Sequence, residues 1–386
     1  MKQNRWHVTG TLKFSAFISW LLSCFLLLFA WVGCTEEKEY AAKYMRDFDL
    51  DKSVQMDLSD FVDSISIIPL ATTDASLIKH PTRLAYVGGR FYINDNQLKI
   101  LAFDRSGTFL FSTETLAGEG PNEYSSCIDF NVLENGNIEI FDALKYKIRE
   151  YDSSLHCVKS IELPKQVLPA SGFHKISEDI CIFEDKASLK FYSLADRQII
   201  KTVQLPFKDE MSTIAKAGLR ETNGELYFSN RTPESILYKV DLESMELHPH
   251  YGFDFGNKNF DWRDLPEGQN VSFYREYVIS NDSKAFVADK FVTPNIQMCF
   301  VVYNKRMYFA LYDERTGTSR TYYNQEYSKP QLMIPDLFQD NTFYYVCEPQ
   351  FLDYVLDARL MSSESIRTIE SVKEDDNPVI VCYKLK

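Results

Sequence analysis

A short marker that recurs six times is the sequence feature that most constrains the fold. In it a β-patterned run ends on an aromatic or apolar residue, and an aspartate or another polar turn residue follows. The marker residues are Phe103, Tyr151, Tyr192, Val240, Tyr312 and Tyr383. They are separated by 48, 41, 48, 72 and 71 residues. Three of these intervals match a four-stranded meander of about 45 residues, the size of a propeller blade. The marker predicts an all-β fold, a six-bladed β-propeller with four-stranded antiparallel blades.

The sequence around the first marker shows what such a blade contains. Its four β-patterned runs are residues 83–87, 91–93, 98–103 and 108–113. Gly88 and Gly89 join the first two runs and residues 104–107 join the last two, which is typical of hairpins. An open ring of blades would leave two exposed sheet edges. We therefore expect the early run at residues 64–70 to join the C-terminal strand and close the ring.

The two long intervals contain extra sequence within a propeller expected to span residues 61–386. One insertion covers about residues 250–280, and the other covers about residues 349–376. In the second insertion five apolar residues recur at helical spacing: Phe351, Leu352, Val355, Leu356 and Leu360. This spacing predicts an amphipathic helix packed on the last blade.

Residues 118–124 lie between two β-patterned runs and are predicted to form a rigid crossing between blades. Glycine tolerates a positive φ, whereas proline fixes its own φ and pushes the preceding residue toward extended geometry. The residues expected to be structural in this turn are Gly118, Gly120, Pro121, Glu123 and Tyr124. Two roles stay open for its acids. Glu119 and Glu123 could face the central channel and bind a cation or ligand, or Glu123 could cap backbone amides.

Residues 1–33 differ in kind from the rest of the chain and are predicted to be a lipoprotein signal peptide. Three positive charges precede an uncharged apolar run of about twenty residues, and Gly33 and Cys34 follow it. Cys34 is the expected lipidation site. An uncleaved membrane anchor and ordinary secretion are the alternatives, because the apolar run is long enough to span a bilayer. Residues 34–60 are expected to be a tether.

The charge of the chain limits its partners. The formal net charge is −13, and removing the three positive charges of residues 1–33 leaves −16. A strongly negative domain is poorly suited to nucleic acid or to anionic membrane surfaces. Nucleic acid is therefore excluded as a partner.

Four motifs together resemble the six-bladed β-propeller lipoproteins of Bacteroidota, which are related in architecture to NHL-repeat propellers. These motifs are residues 32–34, 103–107, 118–124 and 375–386. The resemblance covers essentially the whole mature chain. It implies the propeller fold and a position at the cell envelope, lipid-anchored to a bacterial membrane on its periplasmic or surface side. It implies no catalytic residue.

The first insertion carries the residues that best fit a binding site. Aromatic rings stack on sugars or peptide side chains, and arginine supplies oriented hydrogen bonds. Inserted loops around a propeller mouth commonly carry function. The candidate ligand-binding residues are Trp262, Arg263, Tyr274 and Arg275. A loop that only packs over a blade is the alternative.

The favoured function is a lipid-anchored envelope module that binds a small glycan, a peptide or a partner protein. No Gly-x-Ser-x-Gly, HExxH or Cys-His pattern occurs. We therefore predict no catalytic residue, no metal site and no cofactor. A metal-dependent lyase or hydrolase of the propeller type is the alternative, and a structural subunit of an envelope complex is a third class.

Overall fold

A computed structural model describes residues 44–386, apart from residues 97, 206–217, 223, 230–234, 262–275, 278–279 and 324–329. Six antiparallel sheets follow one another along residues 46–386. Three strands precede the first complete sheet: β1 (Met45–Asp47), β2 (Val54–Gln55) and β3 (Val62–Pro69). These early strands add to the last three sheets of the ring.

Blades 1 to 3 are consecutive four-stranded meanders. Blade 1 consists of β4 (Pro81–Val87), β5 (Arg90–Asp95), β6 (Lys99–Asp104) and β7 (Phe109–Ser112). Blade 2 consists of β8 (Asp129–Val132), β9 (Ile138–Asp142), β10 (Lys147–Tyr151) and β11 (Cys157–Glu162). Blade 3 consists of β12 (Gly172–Lys175), β13 (Ile180–Glu184), β14 (Ser188–Ser193) and β15 (Gln198–Gln204).

Blades 4 to 6 have the same order but take in the early strands. Blade 4 consists of β16 (Leu219–Thr222), β17 (Glu225–Phe228), β18 (Ile236–Asp241) and β19 (Glu246–Asp254), with β1 beside β19. Blade 5 consists of β20 (Phe286–Val292), β21 (Ile296–Tyr303), β22 (Arg306–Asp313) and β23 (Thr318–Tyr323), with β2 parallel to β23. Blade 6 consists of β24 (Leu337–Gln339), β25 (Thr342–Cys347), β26 (Val379–Leu385) and β3.

This architecture confirms the predicted all-β six-bladed propeller. All six marker residues lie at or near the end of the third strand of a blade, on β6, β10, β14, β18, β22 and β26. The marker works because the third strand is largely buried between its neighbours, and in blades 1 to 5 a sharp turn to the next strand follows it. The predicted turns also form, with φ of +59° at Gly88 and +76° at Gly89.

The ring closes where the sequence indicated. β3 pairs antiparallel with β26, from Val379 opposite Pro69 to Leu385 opposite Val62. Asn377 reinforces the same seam, because its buried amide donates to the carbonyl oxygens of Ala71 and Ser76, both at 2.8 Å. The first and last parts of the domain thus share one sheet, so neither leaves an open edge at this junction.

Residues 46–60, expected to belong to a tether, are instead part of the packed domain. Phe48, Leu50, Met56 and Leu58 are all buried. Phe48 stacks on Phe253 of blade 4 with ring centroids 5.4 Å apart. The scattered apolar residues of this segment therefore cover the outer parts of blades 4 and 5, and the ordered domain begins near residue 46, before the expected start at residue 61.

The second insertion contains helical structure, but the α-helix is displaced from its predicted place. The apolar stretch forms two 3₁₀ turns, Pro349–Tyr354 and Ala358–Leu360. The α-helix follows in the polar run at Ser363–Ser371, and the Ser362 side chain accepts a hydrogen bond from the Ser365 amide. Two physical signals account for the shift. Leu352 and Val355 are buried at a spacing of three, which suits a 3₁₀ turn, and a serine N-cap marks the true helix start.

The turn at residues 118–124 lies between blades 1 and 2, and its glycines do not serve the purpose expected of them. Neither Gly118 nor Gly120 has a positive φ. The carboxylate of Glu123 lies against both of them and accepts a hydrogen bond from the Gly120 amide at 2.8 Å. A Cβ on Gly118 would lie 2.1 Å from Glu123 Oε2. Small residues are required here because a carboxylate occupies the space of a side chain.

Neighbouring residues hold this turn in place between blades 1 and 2. Lys145 donates to the Gly118 carbonyl at 2.6 Å, and Tyr151 donates to the Asn122 carbonyl at 2.9 Å. The buried Tyr124 hydroxyl donates to the Leu98 carbonyl at 2.8 Å. Within the turn they hold, the Glu123 side chain caps the Gly120 amide.

The six cysteines after Cys34 are free thiols, and all but Cys157 are buried. Burial raises the pKa of the Cys181 thiol to about 12, so this group stays protonated and packs as a small apolar side chain. No helix in the described part of the chain is long and apolar enough to cross a membrane.

Candidate functional site

The candidate site is a central cavity of about 1040 Å³. The innermost strand of every blade contributes to its wall, namely β4, β8, β12, β16, β20 and β24. In every blade the chain enters through this strand and passes outward through the second and third strands. The six inner strands therefore run in the same direction around the cavity, and their carboxyl ends share one mouth.

Buried acids at the ends of second strands fix the backbone at the start of the inner strands. Asp95 accepts hydrogen bonds from the amides of Lys79 and His80, at 3.1 and 2.6 Å, just before β4. Asp142 accepts one from the Ser125 amide at 2.9 Å, just before β8. These bonds satisfy backbone donors that face no ladder partner, so they set where each inner strand begins.

Glu184 also accepts hydrogen bonds from backbone amides at the start of an inner strand, but that strand belongs to the next blade. It lies at the end of β13 in blade 3 and accepts bonds from Gly218 N at 2.7 Å and Leu219 N at 3.2 Å, at the start of blade 4. Burial raises the pKa of this carboxyl to about 7, although the two amide donors oppose the shift. Glu184 is thus a buried titratable group that joins blades 3 and 4.

An arginine–aspartate pair joins blades 1 and 2 at the cavity wall. Arg83 Nη1 donates to the buried carboxylate of Asp129 and to the Phe130 carbonyl oxygen, the latter at 2.7 Å. The guanidinium carbon also lies 5.1 Å from the centre of the Phe130 ring. The other oxygen of Asp129 accepts from the Phe173 amide of blade 3 at 2.9 Å. One carboxylate therefore links three blades.

His174 and Glu221 face each other between blades 3 and 4. His174 Nε2 lies 3.6 Å from Glu221 Oε2. Burial, with a smaller effect from the positive charge of Arg83, lowers the pKa of His174 to about 4. The imidazole is therefore neutral at pH 7, and Glu221 has no cationic partner among the described residues.

Two further pairs complete this set of cross-blade contacts. Arg220 Nη2 lies 3.5 Å from Asp289 Oδ2, and its guanidinium carbon lies 5.1 Å from the Phe291 ring centre, which joins blades 4 and 5. Lys175 donates to the buried Glu139 carboxylate at 2.7 Å, which joins blades 2 and 3. Each cation of the wall is thus already matched by a carboxylate.

The cavity nevertheless carries an excess of negative charge. The described lining contains three cations: Arg83, Lys175 and Arg220. It contains seven acids: Asp129, Glu134, Glu178, Glu221, Asp289, Asp336 and Asp340. A concave surface dominated by one sign of charge and walled by protein concentrates its electrostatic field on the space inside.

Polar atoms without hydrogen-bond partners also belong to the lining residues. Asn94 is only 1% exposed, and its Oδ1 has no hydrogen-bond partner within the part of the chain that the structure describes. Asn131 Nδ2 and Arg220 Nη1 are likewise buried and unpartnered. Unsatisfied buried polar groups are uncommon, and several of them around one cavity are typical of a site built for water or a ligand.

The residues predicted to bind ligand, Trp262, Arg263, Tyr274 and Arg275, lie outside the described residues, as does Cys34. The two ends of that insertion are described. Phe260 packs on Phe286 of blade 5 with ring centroids 5.3 Å apart, and on Tyr277 at 6.4 Å. The insertion is therefore fastened to blade 5 at its base, and the four predicted residues remain a proposal.

Sequence reasoning missed the cavity residues. Arg83 and Asp129 are single charged residues in short β-patterned runs, whereas His174 and Arg220 each stand beside another charged residue. In every case the partner comes from another blade. The available signal was positional, since each polar residue occurs in the run that opens a blade, where an inner strand must lie.

No group of three or more His, Cys, Asp or Glu side chains is arranged to hold a metal ion within the described parts of the chain.

The sequence also matches a known family. A family model described as a domain of unknown function (DUF4934) matches residues 46–384. The chain belongs to this family. The match begins at the residue where the packed domain begins, so the family boundary and the structural boundary agree. No curated protein matches the chain.

Among solved structures, the chain is similar to a Bacteroides fragilis protein that its name provisionally describes as exported. The sequence identity is 17%, the TM-score is 0.65, and the similarity covers 89% of this chain and 99% of that chain. At this identity the likeness shows the fold alone. It confirms the propeller architecture as one found in Bacteroides.

Two weaker similarities carry no argument about this chain. A DUF4221-family member from Bacteroides vulgatus has 10% identity and a TM-score of 0.49, over 84% of this chain and 97% of that chain. Virginiamycin B lyase from Staphylococcus aureus has 11% identity and a TM-score of 0.38, over 68% and 74%.

Proposed function

We propose that this DUF4934 protein is a cell-envelope binding module whose ligand occupies the central cavity. One observation carries the proposal: a cavity of about 1040 Å³ that is lined by all six blades. This volume is at the upper end of those that hold small molecules. The polar wall residues are fixed by cross-blade contacts, so the site is preformed and binding requires little reorganisation.

The ligand is a small glycan or a short peptide, or an exposed segment of a partner protein. The half-buried lining residues Val87, Leu219 and Ile334 supply apolar surface. Asn94, Asn131 and Arg220 supply polar groups with unused hydrogen-bonding capacity. The insertion residues Trp262, Arg263, Tyr274 and Arg275 are proposed to contribute at a mouth of the ring.

The module is proposed to lie outside the cytoplasm, attached through Cys34 to a bacterial membrane. The signal-like residues 1–33 support this location. Expression of Cys34→Ala with radioactive palmitate tests the attachment. We expect loss of both label and membrane fractionation. A variant that keeps both would contradict lipidation at Cys34.

Cavity binding is tested by a thermal-shift screen of the purified chain against glycans and short peptides. A ligand that binds only the folded state adds about 2.7 kcal/mol of stability at 100 times its Kd. Gln339, half-buried in the lining, offers a way to narrow the mouth. We expect Gln339→Trp to remove the shift if the ligand enters the cavity.

Two other outcomes would contradict a ligand site in the cavity. A shift that is unchanged in Gln339→Trp but lost in Trp262→Ala would move the site to the insertion. A screen in which no compound shifts the melting temperature would count against a small-molecule module altogether.

A further inference from the structure

The charged groups of the cavity indicate which ligands it accepts, and this inference rests on the proposed function. The interior cations are already matched, Arg83 by Asp129, Arg220 by Asp289 and Lys175 by Glu139. An anionic ligand would have to compete with these carboxylates for each cation. The wall therefore has little unused positive charge to offer.

The unmatched acids lie together at one mouth. Glu134 and Glu178 follow the ends of β8 and β12, Asp340 follows β24, and Glu221 is the residue before the last of β16. Since the inner strands run in one direction, their carboxyl ends meet at the same mouth. We call these four residues the acidic mouth.

The carboxylate of each member of the acidic mouth lacks a strong cationic partner among the described residues, although Lys384 donates to the Asp340 main-chain carbonyl at 2.6 Å. Glu178 is 89% exposed and its nearest cation, Lys175, is 3.9 Å away and already bonded to Glu139. Glu221 faces the imidazole of His174 at 3.6 Å. No ion pair is formed by Glu134 or Asp340 within the described chain. The field at this mouth therefore stays negative and attracts positive charge.

A separate observation inside the cavity points to a ligand that donates hydrogen bonds. Asn94 is 1% exposed and lines the cavity, and its amide nitrogen donates to the Cys127 carbonyl at 3.3 Å. No group among the described residues donates a hydrogen bond to its Oδ1. A buried carbonyl oxygen without a donor costs free energy that an N–H donor of a ligand would recover. Ammonium groups carry three such donors and the positive charge that the acidic mouth attracts.

We infer that the cavity binds a small, flexible molecule bearing primary ammonium groups, which enters through the mouth formed by Glu134, Glu178, Glu221 and Asp340. A basic tripeptide is a suitable probe. Its aliphatic stems match the half-buried apolar lining residues Val87, Leu219 and Ile334, and its charges match the acids.

The test is calorimetric titration of the purified full-length chain with trilysine, triglutamate and triglycine. We expect trilysine to bind, with an affinity that falls as salt is raised, and triglutamate not to bind. Glu178→Gln and Glu221→Gln each remove one mouth charge without a change of shape. Each is expected to weaken trilysine roughly two- to fivefold.

Glu374→Gln is the matched control, because Glu374 is exposed and lies outside the cavity lining. If it weakens trilysine as much as Glu221→Gln does, the binding is general attraction to an acidic chain and the inference is wrong. The inference is also wrong if the wild-type chain does not bind trilysine at millimolar concentration.

The same titrations separate this inference from the proposed function. Binding of triglycine or triglutamate that is lost in Gln339→Trp, without binding of trilysine, would keep the cavity as the site and refute the cationic ligand. Absence of any cavity ligand in both the screen and the titrations would refute the proposed function itself.

Discussion

Gly107 lies at the seam where the ring closes, and its replacement tests how tightly that seam is packed. It has a φ of +85° in the turn between β6 and β7 of blade 1. Its carbonyl accepts a hydrogen bond from the Ala71 amide at 2.8 Å. A Cβ at Gly107 would lie 2.0 Å from the carbonyl oxygen of Pro69, on β3 of blade 6. Backbone of one blade thus occupies the space of a side chain on the next.

Gly136 is a matched control in the hairpin between β8 and β9. Its φ is +84°, yet no atom lies within 4 Å of a Cβ built there. Alanine at either position has a strained backbone, at a cost of about 1–2 kcal/mol. Only at Gly107 must the backbone also move, which adds overpacking of about 1–3 kcal/mol and weakens the bond to Ala71.

We therefore expect Gly136→Ala to lower the free energy of unfolding by about 1–2 kcal/mol and Gly107→Ala to lower it by about 3–5 kcal/mol. Urea unfolding followed by far-ultraviolet circular dichroism measures both. Failure of Gly107→Ala alone to fold agrees with the reasoning. Equal losses in the two variants, within about 0.5 kcal/mol, would refute the contact between blades 1 and 6.

Three further predictions concern the cross-blade contacts. The pKa of Glu184 is raised to about 7 from 4.5, so its contribution to stability is fully present below pH 4.5 and is lost as pH rises to 7. Glu184→Gln should remove this loss, because glutamine does not titrate. The unfolding free energy of the variant minus that of the wild type should therefore rise by about 3 kcal/mol between pH 4.5 and 7. Gly118→Ala should cost only about 1 kcal/mol, because the flexible Glu123 side chain can move aside and lose its bond to the Gly120 amide. In a Glu123→Ala background the same change should cost less, as a thermal-unfolding double-mutant cycle would show. Arg83→Met should cost about 2 kcal/mol by leaving the buried Asp129 without its cation. The double variant with Asp129→Asn should lose less than the sum of the two single variants in urea unfolding.

The blade pattern could be predicted because its signal is local. A third strand such as β6 is apolar from Ile100 to the aromatic residue Phe103, and Asp104 then begins the turn. Strand pairing inside a blade involves neighbours along the chain, so hairpin turns such as Gly88-Gly89 specify most of the topology. Even the long-range pairing of β3 with β26 followed from the need to cover an edge.

The displaced helix shows where a local signal was ambiguous. Leu352 and Val355 fit both an α-helical face and a 3₁₀ turn, and only the Ser362 cap distinguishes the helix that forms. At Gly118 the sequence indicates a position that favours glycine, but the reason is space and not a positive φ. Glycine is needed there for the space that Glu123 occupies, and such a requirement depends on a contact that the sequence does not show.

The cavity could not be predicted because its parts come from different blades. Arg83 meets Asp129, and His174 meets Glu221, only after the ring has formed. In the sequence each of these residues is one polar position among many in an acidic chain. No spacing rule brings them together, because the insertions vary the number of residues from one blade to the next.

The acidic residues discussed above fall into two groups: buried acids that accept backbone hydrogen bonds, and exposed acids that line the cavity. Asp95, Asp142 and Glu184 are buried and accept backbone hydrogen bonds, so replacing them should affect stability first. Glu178 and Glu221 have no such bonds and face an open cavity, so replacing them should affect binding and leave stability nearly unchanged. A surplus of acid that served only solubility would not separate in this way. The contrast between Glu184→Gln in unfolding and Glu221→Gln in titration therefore tests whether the negative charge of the cavity is there for a ligand.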